Sequence, residues 1–456
     1  MKLKKKKITE KLNKLIPGGA HTYSRGSDQF SFNAPEILKR GNGAYVYDEK
    51  NKKYLDYGMG LRSVTVGYAN KRIIKGAVNQ IIKGNNLTLP SEIELDAASM
   101  LVKHFKSVEM VKFTKNGSTA VTAAVKIARG YTNKKIVLRC SDQPFFSYDD
   151  WFIGSTNIKR GVPNEISKLT SQFKYNDIDD LKKKIIKFKN NIACVVLEPS
   201  TKNCPYISKN DINCCGVYPC KKDFKKNNFL IEVQNLCREN KIIFILDEMI
   251  TGFRWNLYGA QNIYNVDPDI STFGKGMANG FPLACVAGKS KYMDIGGISK
   301  VNQERLFLLS TTHGSEMSSL GAFMETLRYY KKFNVIDHLW SFGHKLKKIF
   351  NNESLNQGLE KYIKMSGIPC SPYYECFDVS SKLNNLFTTL LMQEMIKNKI
   401  LWPSFISISH SHKELELQKT KKALRNAFKV YKKALIHGPK KYLKGPAIKP
   451  VFRKYN

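Results

Sequence analysis

The sequence predicts an α/β fold with a mostly parallel central sheet and helices on both of its faces. From about residue 100 onward, short apolar runs that suit buried strands alternate with longer segments that suit helices. Parallel strands need long crossover connections, which helices usually supply, so both faces of such a sheet become covered. The chain has 456 residues, 42% of them hydrophobic, which is enough for one large domain and a smaller one.

The individual elements follow in order along the chain. Residues 41–48 and 53–57 predict two strands around a turn near the N-terminus. The later predicted strands are 110–114, 135–139, 193–197, 242–246 and 270–273, and the predicted helices are 118–131, 229–239, 316–332, 335–350 and 419–434. The basic, proline-rich end at 439–456 is expected to lie over a surface rather than to form an element.

These elements divide the chain into three stretches. Residues 1–60 are expected to form the N-terminal part of a small domain, 61–330 a large domain, and 331–456 the C-terminal part of the small domain. The large domain is interrupted at 200–228, which is rich in Cys, Lys, Asn and Pro and predicts an inserted surface loop. The two chain ends would then build one small α+β domain together.

The ten cysteines are expected to be reduced. The start of the chain is basic, but no apolar stretch follows it as a secretory signal requires, and disulfides are rare without secretion. Four of the cysteines lie between 204 and 220, at spacings that lack the C-x2-C pair of most zinc sites. We therefore expect free thiols in the inserted loop and no metal site.

The net charge of the chain is +37, from 75 Lys and Arg against 38 Asp and Glu. Such an excess raises the question of nucleic acid, but the cations are spread along the whole chain without a basic stripe interleaved with aromatics. A solvated basic surface with no specific nucleic-acid partner is favoured over a polyanion-binding role. No apolar run approaches the ~18 residues that a membrane span needs, so we expect a cytoplasmic protein without a membrane partner.

A possible anion site lies where the predicted strand 110–114 meets the predicted helix 118–131. Gly117 turns the chain, and the hydroxyl residues Ser118 and Thr119 open the helix. Backbone N–H groups and the positive dipole end of a helix favour phosphate at this position. An ordinary N-cap would give the same pattern.

Asp247 and Lys275 each follow a predicted buried strand. Ligands of open α/β sheets bind at the carboxyl ends of the strands. A carboxylate can keep a pyridine nitrogen protonated, while a lysine with a lowered pKa can form an imine and then move protons. The pair therefore suggests pyridoxal 5'-phosphate (PLP), although a capping aspartate and a surface lysine would explain each residue taken alone.

Four motifs in a fixed order carry a family resemblance. They are Asn116-Gly117-Ser118-Thr119-Ala120, LDEMITGFR at 246–254, Phe273-Gly274-Lys275 and STTHGSE at 310–316. From roughly residue 10 to the end, the chain resembles the class III PLP-dependent aminotransferases, and within them most resembles the glutamate-1-semialdehyde 2,1-aminomutases. The resemblance implies the PLP-dependent transferase fold type I, a homodimer with active sites at the subunit interface, and a small amino or keto acid as substrate.

The resemblance also implies which residues would surround the cofactor ring. Lys275 would be joined to PLP covalently, and Asp247 would pair with the pyridine nitrogen, so these two would be the catalytic residues. Phe145 would stack on one face of the ring, and Met249 would pack against the other face. Glu198 would be a structural acid near the site.

Further residues would hold the phosphate and the substrate. Gly117 and Ser118 would bind the phosphate, and Thr312 would reach the phosphate of the neighbouring subunit. Arg25 matches the arginine that grips the substrate carboxylate in the aminomutases, a pairing that suits a guanidinium group. A surface arginine is the alternative for Arg25.

The substrate stays open because the chain departs from the family pattern. Thr119 replaces an acidic residue, and Phe145-Phe146-Ser147 replaces Tyr-His-Gly. Asn203 matches the aminomutases, which favours intramolecular amino transfer from glutamate-1-semialdehyde to 5-aminolevulinate. The end at 444–456 resembles a subgroup found beside surface-polysaccharide genes. A class III aminotransferase acting on another amino or keto acid, or on a sugar, for instance in polysaccharide biosynthesis, is therefore the alternative.

Overall fold

The structure is a computed structural model that describes residues 7–200, 202–206, 228–314 and 316–456. The described residues form two compact units. The first unit takes its residues from Met1–Asn70 and Asp337–Asn456, and the second from Lys71–Cys215 and Pro219–Ile336. Most of the predicted insert at 200–228, with Cys214, Cys215 and Cys220, lies outside the described residues.

Besides three one-turn 3₁₀ segments, the described N-terminal part of the first unit contains two helical segments and three strands. They are α1 (Lys7–Leu15), β1 (Leu38–Asn42), β2 (Tyr45–Asp48), β3 (Lys53–Asp56) and the one-turn segment α2 (Met59–Arg62). The prediction of a single strand over 41–48 is wrong, because the chain turns at Gly43, whose φ is +56°. Glycine adopts this left-handed conformation without a steric cost, so β1 and β2 become an antiparallel hairpin.

A seven-stranded sheet forms the centre of the second unit. Its strands in chain order are β4 (Met110–Thr114), β5 (Ile136–Cys140), β6 (Thr170–Phe173), β7 (Ile192–Leu197), β8 (Ile243–Asp247), β9 (Ile270–Phe273) and β10 (Ala284–Gly288). Their spatial order is β4-β10-β9-β8-β7-β5-β6, and the run from β9 to β6 is parallel. Only β10 pairs antiparallel, with both β4 and β9. The predicted, mostly parallel sheet with helices on both faces is thus confirmed.

The helices of the second unit explain why its central strands are so apolar. They are α3 (Lys71–Ile81), α4 (Glu92–His104), α5 (Gly117–Thr132), α6 (Asp150–Ile153), α7 (Asn164–Ser167), α8 (Ile178–Lys187), α9 (Phe229–Glu239), α10 (Gly259–Tyr264), α11 (Ser290–Met293) and α12 (Met317–Phe333). Every residue of β5, β7, β8, β9 and β10 is buried. Strands covered on both faces read as continuous hydrophobic runs rather than as alternating ones.

The C-terminal part of the first unit completes a four-stranded sheet. Its elements are α13 (Val335–Leu355), β11 (Ile363–Ser366), β12 (Tyr373–Cys376), α14 (Asn385–Lys397), β13 (Ile400–Leu401) and α15 (Glu414–His437). Because β13 pairs in parallel with β3, the two chain ends contribute to one sheet. Residues 442–456 form no helix or strand and lie against this unit, where the Lys449 N–H donates to the Asp28 carbonyl at 3.0 Å.

Within the described ranges, every helix is too short or too polar to cross a membrane. The cysteines in these ranges are buried thiols. Burial raises the pKa of Cys140 and of Cys194 to about 12, so both thiols stay protonated and chemically inert at neutral pH.

Candidate active site

The neighbouring parallel strands β8 and β9 bring Asp247 and Lys275 to one edge of the sheet. Asp247 ends β8 and pairs in register with Thr272, and Lys275 follows three residues later. The Lys275 ammonium lies close enough to lower the pKa of the Asp247 carboxyl, although burial has the larger effect and raises that pKa. The two side chains therefore interact electrostatically at the carboxyl end of the sheet.

The Asp247 carboxylate is buried but only partly satisfied. Its Oδ1 atom accepts hydrogen bonds from the Met249 N–H at 2.9 Å and from the Thr272 hydroxyl at 3.1 Å. Among the described residues, the second oxygen, Oδ2, accepts no hydrogen bond. A buried carboxylate with an open acceptor site favours a cationic N–H group beside it. Asp247 therefore fits a protonated ring nitrogen.

Lys275 occupies a strained backbone conformation. Its φ is +44°, in the left-handed region that side chains with a Cβ rarely adopt. It opens a short 3₁₀ turn, Lys275–Ala278, whose Gly276 carbonyl accepts a 2.6 Å hydrogen bond from the buried Tyr330 hydroxyl. Such strain persists only where the surroundings enforce it, and it is concentrated at functional sites.

Met249 packs between the start of α5 and the end of β9. A Cβ added at Gly117 would lie 2.8 Å from the Met249 sulfur, and one added at Gly274 would collide with the same atom. Met249 also belongs to a buried cluster with Ala120 and Ala284. The glycines thus let the thioether reach both turns, which places Gly117, Met249 and Lys275 around one site.

The first turn of α5 presents two backbone donors. Asn116 caps the helix by accepting hydrogen bonds from the N–H of Thr119 at 2.9 Å and from its hydroxyl at 3.1 Å. In the part of the chain that the structure describes, no acceptor takes the N–H groups of Gly117 and Ser118. These two groups and the dipole of a 16-residue helix suit a phosphate group.

The loop that contains Phe145 and Ser147 is hydrogen-bonded to the start of α5. Phe145 is 47% exposed and meets Phe152 edge-on, with 5.8 Å between ring centroids. The buried Ser147 hydroxyl lies 3.0 Å from the Thr122 hydroxyl and 3.4 Å from the Ser118 carbonyl. Ser147 thereby holds the loop that carries Phe145 beside the start of α5.

The neighbouring acid, Glu248, has a different environment. It is fully buried and accepts the N–H groups of Ala260 at 3.0 Å and Gln261 at 2.8 Å, together with the Thr251 hydroxyl. Burial raises its pKa, and these donors act against that rise. Successive residues of a strand point to opposite faces, so Glu248 caps α10 while Asp247 faces the lysine.

Several supporting residues were not predicted from the sequence. Thr272 holds Asp247, Tyr330 holds the turn after Lys275, and the Gln143 side chain makes two 2.8 Å hydrogen bonds to the backbone of Glu198 at the end of β7. Thr272 could have been found only by assuming the parallel register of β8 and β9, because no local motif marks it.

Two of the predicted site residues, Thr312 and Arg25, belong to other segments of the chain. Thr312 is exposed in an irregular segment before α12. Arg25 is exposed at the end of a one-turn 3₁₀ segment, Tyr23–Arg25, in the first unit. Among the described residues, no group of three or more His, Cys, Asp or Glu side chains is arranged to hold a metal ion.

The chain is similar to enzymes that transfer amino groups. The family described as Aminotransferase class-III matches residues 23–372. Glutamate-1-semialdehyde 2,1-aminomutases of Methanosphaera stadtmanae and Wigglesworthia glossinidia brevipalpis are 30% and 29% identical to it, covering 95% and 94% of this chain and 100% and 99% of their own lengths. A 3-aminobutyryl-CoA aminotransferase of Cloacimonas acidaminovorans is 27% identical, covering 94% of this chain and 97% of its own length.

Solved structures share the fold at lower identity. The FumI protein of Sphingopyxis sp. MTA144, in a PLP form, superposes with a TM-score of 0.81 at 21% identity, covering 94% of this chain and 97% of that one. A glutamate-1-semialdehyde aminomutase of Pseudomonas aeruginosa PAO1 gives a TM-score of 0.77 at 16% identity, covering 93% and 94%. The predicted fold type I is thereby confirmed, and PLP is the cofactor that the family match and the PLP-containing FumI structure indicate. The chain belongs to the class-III aminotransferase family.

Proposed function

We propose that this protein catalyses the PLP-dependent intramolecular amino transfer that converts glutamate-1-semialdehyde to 5-aminolevulinate. The main support for PLP chemistry is the electrostatic interaction of Lys275 with the buried Asp247, which the pairing of β8 with β9 brings to one edge of the sheet. The substrate is supported by two aminomutase relatives that match this chain over almost their whole lengths.

The residues present fit the cofactor. Asp247 Oδ2 would accept the ring N–H, and the N–H groups of Gly117 and Ser118 would bind the phosphate. Met249 would pack on one ring face, and Phe145 on the other. When bound, PLP supplies an aldehyde carbon that can take up an amino group and give it back, and an electron-poor ring that stabilises the carbon losing a proton.

Two side chains would perform the proton chemistry. The Asp247 carboxylate would hold the proton on the ring nitrogen, an electrostatic effect that is strong because the carboxylate is buried. The Lys275 amine would move a proton between the substrate carbon and the cofactor carbon that takes up the amino group. The strained turn beneath Lys275 would restrict where its amine can reach.

Two further roles lie outside the described cluster. Arg25 would bind the carboxylate of the substrate through paired N–H donors, which suit the geometry of a carboxylate. Thr312 of one subunit would reach the phosphate bound by the other. The role of Thr312 requires the homodimer that we also propose.

The dimer is supported by an exposed apolar stretch over 74–95. Ile82 and Leu89 are 77% and 76% exposed, and Ile74, Val78, Ile81, Leu87 and Leu95 are also exposed. Apolar surface of this kind marks interaction sites. We expect light scattering to give twice the 52.0 kDa chain mass and the variant with Ile82→Lys and Leu89→Lys to dissociate. Ile186→Lys, at a 74% exposed position on α8, is the control and should stay dimeric.

The mutase is tested by supplying glutamate-1-semialdehyde without any amino donor. An intramolecular transfer regenerates the aminated cofactor in each cycle, so 5-aminolevulinate should accumulate over many turnovers. A transaminase without a donor would stop after about one equivalent of product per active site, because each transfer consumes the amino group it carries. Product measured by chromatography against enzyme concentration separates the two outcomes.

A transaminase that acts between two molecules is the second candidate. The replacement of Tyr-His-Gly by Phe145-Phe146-Ser147 removes a phenol and an imidazole, and an aminotransferase is among the relatives that match over nearly their full length. For this candidate, turnover should appear only when an amino donor such as glutamate is added together with a keto acid or aldehyde.

A further inference from the structure

Lys115 is a partly buried cation directly before the phosphate turn, the residues 116–118 that open α5. It follows β4, an edge strand that ends at Thr114, and it precedes Asn116, the cap of α5. Its side chain is 23% exposed, and burial lowers the pKa of its ammonium while the charge of Glu316 acts against this effect. A lysine at the end of an edge strand can extend into water without desolvation, so contacts with the protein hold this one back.

Two acceptors hold the Lys115 ammonium. It lies 3.3 Å from Oε1 of Glu316 and donates a 3.3 Å hydrogen bond to the Pro282 carbonyl. The same Glu316 oxygen accepts the Ser319 hydroxyl of the first turn of α12 at 2.8 Å. Burial opposes the ionisation of Glu316, but the Ser319 hydroxyl and the Lys115 charge outweigh burial and lower its pKa. Glu316 is therefore an ionised partner that α12 holds in place.

Both acceptors belong to segments that border the candidate active site, and all of them lie in the second unit. Pro282 leads into β10, whose first side chain would lie 3.2 Å from a Cβ added at Gly274, directly before Lys275. Glu316 closes the segment that carries Thr312. One ammonium thus joins the phosphate turn to the strand beside the turn at Lys275 and to the start of α12.

These contacts restrict the conformations of the phosphate turn. To bind one phosphate group, the N–H groups of Gly117 and Ser118 must converge on it. A turn that sampled other conformations would have to be ordered on binding, which lowers affinity. We propose that Lys115, through its ion pair with Glu316, is a positioning residue that holds the phosphate turn in the conformation that binds PLP. This role rests on the proposed function in placing the cofactor phosphate at that turn.

The experiment compares PLP with pyridoxal, which has the same ring and aldehyde but no phosphate. Titration of the cofactor-free full chain, followed by absorbance, gives a dissociation constant for each compound. We expect Lys115→Met to weaken PLP roughly 3- to 10-fold, between the effects of an exposed ion pair and of a hydrogen bond to a charged group, and to leave pyridoxal unchanged. Lys112→Met, at an exposed position of the same strand, is the control and should bind both compounds as the wild type does.

Glu316→Gln separates positioning from direct attraction of the phosphate. If Lys115 acted through its charge alone, removing the neighbouring carboxylate would strengthen PLP binding or leave it unchanged, and either result overturns the inference. A positioning role requires Glu316→Gln to weaken PLP as Lys115→Met does. The double variant should then bind PLP within about twofold of either single variant, because both substitutions break one ion pair. Fully additive losses in the double variant would contradict this coupling.

The outcomes separate this inference from the proposed function. Lys115→Met that binds PLP as tightly as the wild type, or that weakens PLP and pyridoxal equally, would overturn the inference alone. If Lys115→Met fails to fold, Glu316→Gln decides by the same comparison. A wild type without any preference for PLP over pyridoxal would remove the phosphate from this turn and overturn the inference together with that placement. If the preference depends on Lys115 but glutamate-1-semialdehyde is not converted, the inference holds and the proposed function fails.

Discussion

Lys275→Ala is expected to reduce turnover by about 10⁴-fold, the upper range for a lost proton-transfer residue, because it removes both the covalent tether and the base. Borohydride should fix PLP to the wild-type protein and leave the variant unlabelled when both are examined by mass spectrometry. The variant also removes the cation beside Asp247, so the pKa of that buried acid should rise further.

A matched control exists for the backbone effect of this substitution. Lys241 is an exposed lysine of the second unit whose φ is +52°, close to the +44° of Lys275. Lys241→Ala should keep borohydride labelling and turnover near wild type, because Lys241 shares the backbone conformation of Lys275 but not its position beside Asp247. Covalent labelling of Lys275→Ala at the wild-type level would rule out Lys275 as the tether.

Asp247→Asn should lower turnover by roughly 10²- to 10³-fold, the range for loss of one preorganised electrostatic group. The neutral amide keeps the shape of the side chain but cannot stabilise a proton on the ring nitrogen. Steady-state turnover and the absorption spectrum of the bound cofactor measure the effect. A variant with wild-type turnover would remove Asp247 from the proposed chemistry.

The same substitution should not destabilise the protein without PLP. Burial raises the pKa of Asp247 in the folded state above the ordinary value of 3.8. The folded state then holds the proton more tightly than the unfolded state, so stability falls as pH rises from 3.8 through the raised pKa. Asp247→Asn removes this contribution, and urea unfolding should show a smaller loss of stability toward neutral pH than in the wild type.

Glu248→Gln provides the contrast at the adjacent position. Its amide would turn a donor toward one of the N–H groups that Glu248 accepts, which leaves a buried polar group unpaired. We expect a loss of about 1–3 kcal/mol in unfolding free energy and turnover within about tenfold of wild type for the folded protein. If the two variants behaved alike, the division of roles between the adjacent acids would be wrong.

Local sequence patterns were sufficient for much of the fold. Helix 229–239 and strand 270–273 were predicted with the bounds that the structure shows, because each is bordered by clear turn residues. Strands β6 and β10 were not predicted. The sequence of β6, TSQF, is short and mostly polar, and β10, ACVAG, consists of small residues, so neither has the periodic pattern that marks a strand.

The sequence by itself determined that a lysine and an acid follow buried strands and that a glycine-serine turn opens a helix. The family resemblance had already singled out Asp247, and the tertiary structure supplies the physical reason: the register of β8 and β9 places Asp247 opposite Thr272, while Glu248 accepts hydrogen bonds from the start of α10. It also revealed Thr272, whose hydrogen bond to Asp247 joins residues 25 positions apart in the chain and forms only once the strands have paired.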